Sequence, residues 1–253
     1  MQCSEGDGPT AIVTGAAGAI GRAYCRGLAQ RGFHLVLVDA RDPSGFAHEL
    51  RESGAQVIAS EVDVAEEESV QKMVQRATAE FGQIDLLVNN AAYFSQIRKK
   101  AFDEITVAEW DLAFNVNVRG AWLCARAVAP TMKAQRYGKI VNTASMVFRG
   151  AGISGFAHYA ASKAAIVGLT RSLARELGEF NICVNTISPD YIAHDGALFE
   201  AQPEMEGLLA AQRAIRRPGT VDDLVETLLF LGGHASDFIT GQDIWVNGGR
   251  IFG

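Results

Sequence analysis

The chain has few residues of the kinds that cross-link a protein or bind a metal. Its four cysteines, Cys3, Cys25, Cys124 and Cys183, are scattered without Cys-x-x-Cys spacing. Its five histidines also lack metal-ligand spacing. We therefore expect buried free thiols in a reducing compartment, and neither a disulfide framework nor a metal site.

Basic tracts and long apolar runs are missing as well. A net charge of −6 argues against nucleic acid or an anionic membrane as the main partner. The apolar runs break well before the ~18 residues that a bilayer span needs, and the N-terminus has no signal-like apolar region. With 253 residues, of which 48% are hydrophobic, the chain can bury a substantial core. We predict one cytoplasmic domain over residues 1–253, with residues 1–8 loosely held.

Apolar runs of strand length alternate with amphipathic helical stretches. The strand-like runs lie near residues 10–14, 34–39, 56–60, 84–88, 138–143, 181–187 and 242–246. Such alternation is typical of parallel strands joined by right-handed helical crossovers. The pattern predicts an α/β fold: a single-domain, Rossmann-like, doubly wound parallel sheet of about seven strands with helices on both faces.

A glycine-rich turn follows the first strand-like run. Residues 14–21 read Thr-Gly-Ala-Ala-Gly-Ala-Ile-Gly and lead into a helical stretch. Glycines let the backbone approach a pyrophosphate closely, and the helix N-terminus presents unpaired N–H groups to the anion. The next strand-like run ends in Asp39, where a carboxylate can bind both hydroxyls of an adenosine ribose and repel a 2′-phosphate. We therefore expect a dinucleotide site that prefers NAD.

Tyr159 and Lys163 stand four residues apart near the start of a helical run, Ala160 to Leu177. At this spacing both side chains project from one helical face. A phenol titrates near pH ~10, and a fixed ammonium nearby stabilises the phenolate and lowers that pKa. The pair is a candidate acid/base couple; two unrelated surface residues at a chance spacing are the alternative.

With these motifs the chain resembles the short-chain dehydrogenase/reductase family from about residue 10 to the C-terminus, and in particular its NAD-preferring secondary-alcohol dehydrogenases and 3-oxoacyl reductases. The family's nucleotide motif is Thr-Gly-x-x-x-Gly-x-Gly. Thr14, Gly15 and Gly21 meet it, and Ala19 replaces its middle glycine. The resemblance implies hydride transfer between nicotinamide and a secondary alcohol or ketone.

The resemblance also implies a catalytic set of Asn117, Ser145, Tyr159 and Lys163. Tyr159 would exchange a proton with the substrate oxygen, and Ser145 would hydrogen-bond that oxygen and steady its developing charge. Lys163 would lower the pKa of Tyr159 and bind the nicotinamide ribose, while Asn117 would hold a water that links Lys163 to solvent. Thirteen residues separate Ser145 from Tyr159. That is one more than is usual in the family, and one extra loop residue explains the difference.

Further positions match the family's cofactor site. Residues 89–92, Asn-Asn-Ala-Ala, stand where the family has Asn-Asn-Ala-Gly, and residues 63–64 stand where it holds the adenine ring. The implied cofactor-binding residues are Gly15, Gly18, Ala19, Ile20, Gly21, Asp39, Asp63, Val64, Asn90, Ala91, Tyr159, Lys163, Pro189 and Ile192. Asp39 favours NAD, whereas Arg22 and Arg41 near the expected ribose keep NADP as the alternative.

Substrate recognition is expected at residues 188–194 and the helical stretch 204–215, which together predict a lid at about 190–217. The family's Pro-Gly is Pro189-Asp190 here, and its carboxamide-binding threonine is His194. We expect Asp190 either in the cleft, where it would favour a cationic or polyhydroxylated substrate, or turned toward solvent. His194 would bind the carboxamide, face the substrate or lie exposed in the lid. The implied substrate-binding residues are Ser145, Met146, Tyr159, Tyr191 and His194.

Aromatic residues predict the remaining pocket walls and the kind of substrate. The candidates are Tyr93, Phe94, Phe148, Phe156 and Phe199. Such a lining favours a medium-sized, apolar or ring-bearing secondary alcohol. Ordinary core packing is the alternative for each of them.

Assembly and two other functions complete the expectations. The family commonly forms homotetramers, and the apolar C-terminal stretch 245–253 fits that arrangement. Halohydrin dehalogenation on the same fold stays an alternative, although such relatives carry arginine at the lysine position and lose the nucleotide glycines, which this chain keeps. A non-catalytic NAD-binding sensor or scaffold is suggested by Ala19, Ala92, Asp190 and His194.

Overall fold

Seven parallel strands form one sheet. The computed structural model describes residues 8–94, 96–149, 154–192 and 203–252, with the backbone alone for 203–205. The strands are β1 (Thr10–Thr14), β2 (His34–Asp39), β3 (Val57–Glu61), β4 (Leu86–Asn89), β5 (Gly138–Thr143), β6 (Ile182–Pro189) and β7 (Asp243–Val246). Their order is β3-β2-β1-β4-β5-β6-β7, and neighbouring strands are parallel. The predicted doubly wound sheet is confirmed.

Helices follow the strands along the chain. They are α1 (Ala19–Gln30), α2 (Ser44–Glu52), α3 (Glu67–Phe81), α4 (Val107–Phe114), α5 (Gly120–Gln135), α6 (Ala157–Leu177), α7 (Pro203–Gln212) and α8 (Asp222–Gly232). A π-helical segment, Asn115–Arg119, joins α4 to α5. The helix predicted from Ala160 begins at Ala157. The helix predicted at 204–215 is α7, which starts at Pro203 and already ends at Gln212.

Two hydrophobic cores lie on opposite faces of the sheet. Along β1, Ile12 packs into the core covered by α3, α5 and α6. Its neighbours Ala11 and Val13 pack into the core covered by α1, α2 and α8. Because both faces are covered, the central strands are apolar at successive positions and not at alternate ones.

Helix α1 shows how the sequence selects the buried face. Tyr24, Cys25 and Leu28 follow a spacing of three to four residues and are buried. On α8, Leu224 and Leu228 do the same against the same core. Each such leucine contributes about 1.5–3 kcal/mol when it leaves water, so this interface holds α1 firmly beside the glycine turn.

The thiols of the described residues are free. Cys25, Cys124 and Cys183 are all buried, as the sequence predicted, while Cys3 lies outside the described residues. Burial raises the pKa of Cys124 to about 12, so this thiol is inert at neutral pH. Within the described ranges, the helices are all too short or too polar to cross a bilayer.

The strand order places a crevice at the carboxyl ends of β1 and β4. From β1 the chain proceeds to β2 and β3 on one side, and from β4 it proceeds to β5, β6 and β7 on the other. In open parallel sheets, ligands bind where the order reverses in this way. The glycine turn, Asn90 and Ser145 all follow strands at this edge.

Candidate active site

The glycine turn after β1 requires glycine at two positions. Gly15 has a φ of +67°, and a Cβ atom there would stand 2.9 Å from Cα of Ala91. A Cβ atom at Gly21 would stand only 2.1 Å from the carbonyl oxygen of Gly15. A Cβ atom at Gly18 would have more room, because its nearest neighbour, the carbonyl oxygen of Gly15, would be 3.5 Å away. The turn and the first helical turn are therefore packed backbone to backbone.

The N-terminus of α1 opens onto this turn. The helix begins at Ala19 after Gly18, which offers no side chain to cap it. The first N–H groups, including those of Ile20 and Gly21, lack acceptors within the helix and suit an anion. Ala19 lies on the same helix face as Ala23, and both line the groove between α1 and α8. The cradle fits a pyrophosphate, and the methyl group of Ala19 faces that groove.

Asp39 braces the glycine turn from the end of β2. Its carboxylate accepts a hydrogen bond of 2.9 Å from the N–H of Ala17 and one of 3.1 Å from the N–H of Arg41. The guanidinium of Arg41 is largely exposed and stands 3.8 Å from the same carboxylate. Arg22, the other basic residue near this end, instead pairs with Glu49 at 2.9 Å. The predicted ribose carboxylate thus lies beside the turn.

Residues 63–64 line the next part of the same edge. Asp63 accepts a hydrogen bond of 2.9 Å from the N–H of Ala65. Val64 is buried against Gly120, where a Cβ atom would stand 2.7 Å from its methyl group. These two residues, which were expected near the adenine ring, follow β3 and lie on the β2 side of the crevice.

Thr14 joins the ends of β1 and β4, which the sequence did not reveal. Its hydroxyl donates to the carbonyl of Val88 and accepts from the N–H groups of Asn90 and Ala91, both at 3.0 Å. The amide of Asn90 donates in return to the carbonyls of Thr14 and Gly15, at 3.2 Å each. The two predicted cofactor loops are thereby one hydrogen-bonded unit.

The predicted catalytic side chains meet at the ends of β5 and α6. The side chain of Ser145 lies close enough to the Tyr159 hydroxyl to lower the pKa of that phenol, so the extra residue between them does not displace the serine. Lys163 donates a hydrogen bond of 2.6 Å to the carbonyl of Thr143, the last residue of β5. Its Nζ atom lies 5.7 Å from the centre of the Tyr159 ring. Both side chains project from one face of α6, as expected.

The pKa of Tyr159 differs from the sequence-based expectation. Burial raises this pKa, and the nearby Ser145 side chain opposes the rise only in part. Burial also lowers the pKa of Lys163 to about 8, because a charge is poorly solvated there. The expected lowering of the Tyr159 pKa by Lys163 is therefore wrong, because loss of solvent on burial dominates this pKa.

Asn117 lies in the π-helical segment and supports α6. Its side-chain oxygen accepts a hydrogen bond of 2.7 Å from the N–H of Tyr93. Its side-chain nitrogen donates at 2.9 Å to the hydroxyl of Ser162, which donates to the carbonyl of Tyr159 at 2.8 Å. Ser162, another residue that the sequence did not single out, thus connects the predicted asparagine to the catalytic helix.

A buried polar network continues beneath these residues. Asn89 donates to Asn142 at 2.9 Å, Asn142 donates to Thr170 at 2.8 Å, and Thr186 donates to Thr170 at 2.8 Å. The four side chains link β4, β5 and β6 to α6. Such a network fixes the position of α6 relative to β4, β5 and β6. It therefore also fixes where Tyr159 and Lys163 lie.

Aromatic side chains pack around Tyr159. The cluster consists of Ile97, Phe156 and Tyr159, packed by Tyr93, Phe94 and Val147. The rings of Phe94 and Tyr159 lie 4.6 Å apart. Met146, next to Ser145, is buried as well. The surroundings of the catalytic residues are therefore apolar and aromatic.

Three predicted pocket residues have other outcomes. Phe148 packs with Ala144, Ile166 and Val167 in a separate cluster, so its assignment to the pocket wall is wrong. It belongs to the contact between α6 and the chain that follows β5. His194 and Phe199 lie outside the described residues.

The chain after β6 corrects the expectation for Asp190. Pro189 ends β6, and Ile192 is buried and pairs with Gly219. The side chain of Asp190 is only 4% exposed and forms ion pairs with Arg213 at 2.9 Å and Arg250 at 2.8 Å. It therefore lies neither in the cleft nor in solvent, because two guanidinium groups hold it inside the protein.

Sequence comparison agrees with this geometry. A family model described as enoyl-(acyl carrier protein) reductase matches residues 15–250. The (2S)-[(R)-hydroxy(phenyl)methyl]succinyl-CoA dehydrogenase subunit BbsD of Thauera aromatica is 35% identical over 242 residues, which cover 95% of both proteins. The chain belongs to the short-chain dehydrogenase/reductase family. As a short-chain dehydrogenase/reductase it is an oxidoreductase that acts on alcohol or keto groups.

Solved structures of similar proteins share the fold of this short-chain dehydrogenase/reductase. A blue fluorescent protein from a metagenomic library, in complex with NADPH, superposes with a TM-score of 0.87 at 30% identity and covers 97% of this chain and 99% of its own. NAD+-bound xylitol dehydrogenase superposes with a TM-score of 0.86 at 31% identity and covers 97% of this chain and 100% of its own. The Rossmann-like α/β fold is shared over nearly the whole length.

Proposed function

We propose that this enzyme is an NAD-dependent dehydrogenase of medium-sized, ring-bearing secondary alcohols, or the reductase of the corresponding ketones. One observation carries the proposal. The Tyr159 hydroxyl lies beside the side chain of Ser145, and the Tyr159 ring packs in an aromatic cluster, at the edge of the sheet where the glycine turn also lies. A proton-transferring group, an oxygen-binding group and an anion cradle therefore share one cleft.

Each catalytic side chain has a role that follows from its position. Tyr159 takes the proton from the substrate hydroxyl during oxidation, or returns it during reduction. Ser145 donates a hydrogen bond to the same oxygen and stabilises the charge that develops on it. Lys163, held against Thr143, keeps a positive charge near the phenol and binds ribose hydroxyls. When bound, the dinucleotide supplies the nicotinamide carbon that accepts or donates the hydride.

Asn117 holds the water that connects Lys163 to solvent. Both atoms of its side-chain amide already bond to Tyr93 and Ser162. Each of these atoms has one further hydrogen-bonding position, and we assign the water to one of them. π-Helical segments are rare and often lie at functional sites, which suits that role.

The cofactor is NAD. Asp39 stands at the end of β2 with its carboxylate turned toward the glycine turn, where a 2′-phosphate would meet negative charge. Arg22 is engaged by Glu49 and does not counter that charge. The NAD+-bound xylitol dehydrogenase supports this choice, while the NADPH complex of another relative makes the direct comparison necessary.

The substrate carries a ring. Tyr93, Phe94 and Phe156 form apolar walls beside Tyr159, and a buried aromatic pocket binds flat apolar groups well. BbsD acts on a substrate whose name includes a hydroxy(phenyl)methyl group, which is a secondary alcohol next to a ring. We propose that the lid over this substrate spans about 190–217, of which residues 193–202 lie outside the described part of the chain, and that the whole chain is one dinucleotide-binding domain.

A substrate panel tests the proposal. NADH formation is measured with 1-phenylethanol, cyclohexanol, 2-octanol and xylitol, and each is repeated with NADP. We expect the highest kcat/KM with a ring-bearing alcohol and NAD. Equal rates for xylitol and 1-phenylethanol would reject the substrate class. If NAD binds but every alcohol and ketone of a broad panel is inert, the protein is a sensor or scaffold instead.

The enzyme works in the cytoplasm as a homotetramer. Trp110 on α4 and Trp122 on α5 are each 41% exposed, and Phe238 and Phe252 near the C-terminus are more exposed still. Apolar surface of this kind suits contacts between subunits. Sedimentation velocity at micromolar concentration tests the assembly, and a monomer would reject it.

A further inference from the structure

Asp190 is the centre of a buried charge cluster that follows β6. One carboxylate oxygen accepts from Nε and Nη2 of Arg213, at 3.2 and 2.9 Å. The other accepts from Nη1 of Arg250 at 2.8 Å. Exposed fractions of 4% for Asp190 and Arg213, and 15% for Arg250, show that the cluster is shielded from water. We call these three residues the Asp190 cluster.

The cluster connects three stretches of chain that are far apart in sequence. Besides Asp190, Arg213 donates to the carbonyl of Tyr191 at 2.8 Å and to the carbonyl of Arg217 at 3.0 Å. It follows α7 directly, so it joins the end of that helix to the segment after β6. Arg250 adds the C-terminal turn and donates to Gln212, the last residue of α7, at 3.1 Å.

The C-terminal turn is shaped to reach this cluster. Gly248 has a φ of +61°, and its carbonyl accepts from the N–H of Ile215 at 2.9 Å. A Cβ atom at Gly248 would stand 3.1 Å from the side chain of Arg213. The turn therefore packs directly on the arginine that holds Asp190.

Charge burial on this scale argues for a positioning role. Removing three charges from water is costly, and an ion cluster returns that cost only when its hydrogen bonds are well satisfied. Apolar side chains would hold the same segments together without the cost. What the cluster adds is one fixed arrangement of the chain, because a carboxylate that accepts three charged hydrogen bonds from two arginines tolerates little displacement.

We propose that Asp190 is a positioning residue, which holds Pro189, Tyr191 and Ile192 in place against the nicotinamide end of the cofactor and ties that edge to the end of α7. The proposal rests on the proposed function, because it requires that a dinucleotide lies along this edge. The adenosine end lies on the other side of the crevice, at Asp39 and Val64. The cluster therefore acts on one half of the dinucleotide.

Comparing NAD with ADP-ribose, which lacks nicotinamide, tests this directly. Asp190→Asn keeps the shape of the side chain and removes its charge. We expect its Kd for NAD to rise about tenfold, whereas its Kd for ADP-ribose stays within about twofold of wild type. The matched control is Asp237→Asn, which removes the carboxylate that pairs at 2.7 Å with Lys139, a cation only 1% exposed. Because Lys139 lies at the opposite end of β5, this variant should lose stability and keep both Kd values.

Arg250→Gln provides a second variant that is milder, since this arginine is partly exposed. It should weaken NAD binding in the same selective way, and this result decides the case if Asp190→Asn does not fold. Equal losses for NAD and ADP-ribose, or no loss for either, would overturn the inference. A wild type that binds neither compound rejects the proposed function and this inference together. If the wild type prefers NADP, the Kd values of variant and wild type are compared in the same way for NADP and 2′-phospho-ADP-ribose.

Discussion

Lys163 donates its hydrogen bond to the main-chain carbonyl of Thr143, at 2.6 Å. The acceptor is the last residue of β5, two residues before Ser145. The lysine on α6 is thereby fixed to the strand that positions the serine. This contact keeps a cation in a pocket that strongly disfavours charge, as the lowered pKa of Lys163 shows.

Tyr159→Phe should abolish turnover and leave dinucleotide binding nearly unchanged. The substitution removes only the hydroxyl that exchanges the proton, which contributes about 10²–10⁴-fold to the rate. Steady-state kcat and the Kd for NAD measure the two effects. Tyr137→Phe, near the opposite end of β5, is the control and should keep wild-type activity. Retained turnover in Tyr159→Phe would show that another group transfers the proton.

Lys163→Met should inactivate the enzyme and stabilise it. Burial lowers the pKa of Lys163 from 10.5 to about 8, which corresponds to about 3 kcal/mol of cost to the folded state. The variant also loses the hydrogen bond to Thr143, which destabilises it by about 1 kcal/mol. We expect a net gain of about 2 kcal/mol in the free energy of unfolding at pH 7, measured with urea.

The gain from Lys163→Met should depend on pH in a defined direction. Below about pH 8 the lysine is protonated in both states, so the wild type bears the full cost. Between pH 8 and 10.5 the unfolded chain binds this proton and the folded chain does not, so wild-type stability rises with pH. The advantage of the variant should shrink over that window. Lys72→Met, at an exposed lysine, should show no such trend, and a gain that grows with pH would contradict the prediction.

Gly21→Ala and Gly18→Ala should differ sharply although both lie in the same turn. The new methyl at residue 21 would stand 2.1 Å from the carbonyl oxygen of Gly15, whereas at residue 18 the nearest atom is 3.5 Å away. We expect Gly21→Ala to cost about 1–3 kcal/mol of stability and Gly18→Ala less than about 0.5 kcal/mol. Urea unfolding measures both, and equal costs would show that the turn can relax.

Asp39→Ser should move the cofactor preference from NAD toward NADP. The carboxylate that repels a 2′-phosphate is lost, and the hydroxyl of serine accepts phosphate hydrogen bonds. The same carboxylate also holds Ala17, so both affinities should fall in part and the ratio of the two Kd values is the measurement. We expect that ratio to change by about tenfold or more. Asp42→Ser, in the neighbouring loop, should leave it unchanged.

The fold could be predicted closely because its signals are local. Each strand in the sequence is a short apolar run, and both faces of the sheet are buried, so the runs are continuous and easy to delimit. Helix ends were less certain: α6 begins at Ala157, ahead of the predicted Ala160. Phe156 precedes this helix without capping it through its side chain, so the sequence gives no local signal for the start.

The candidate site could be predicted only where a motif fixes the residue type. Tyr159, Lys163 and Ser145 come together as their spacing implied. Thr14 and Ser162 act through bonds to residues more than forty positions away, and no local pattern encodes such contacts. Asp190 shows the same limit, because its partners Arg213 and Arg250 are brought to it only by the folded chain.

The order of the strands also has a consequence for how the enzyme matures. β1 pairs with β2 nearby in sequence, but its other neighbour, β4, arrives much later, as the pairing of Ala11 with Leu86 shows. The crevice is therefore a seam that exists only after the two halves of the chain have docked. Contacts so distant in sequence form slowly, and a ligand that spans the seam favours the docked state by mass action. Newly made enzyme should thus gain secondary structure before it gains affinity for its dinucleotide. The dinucleotide should bind last and stabilise the two halves of the sheet after they have docked.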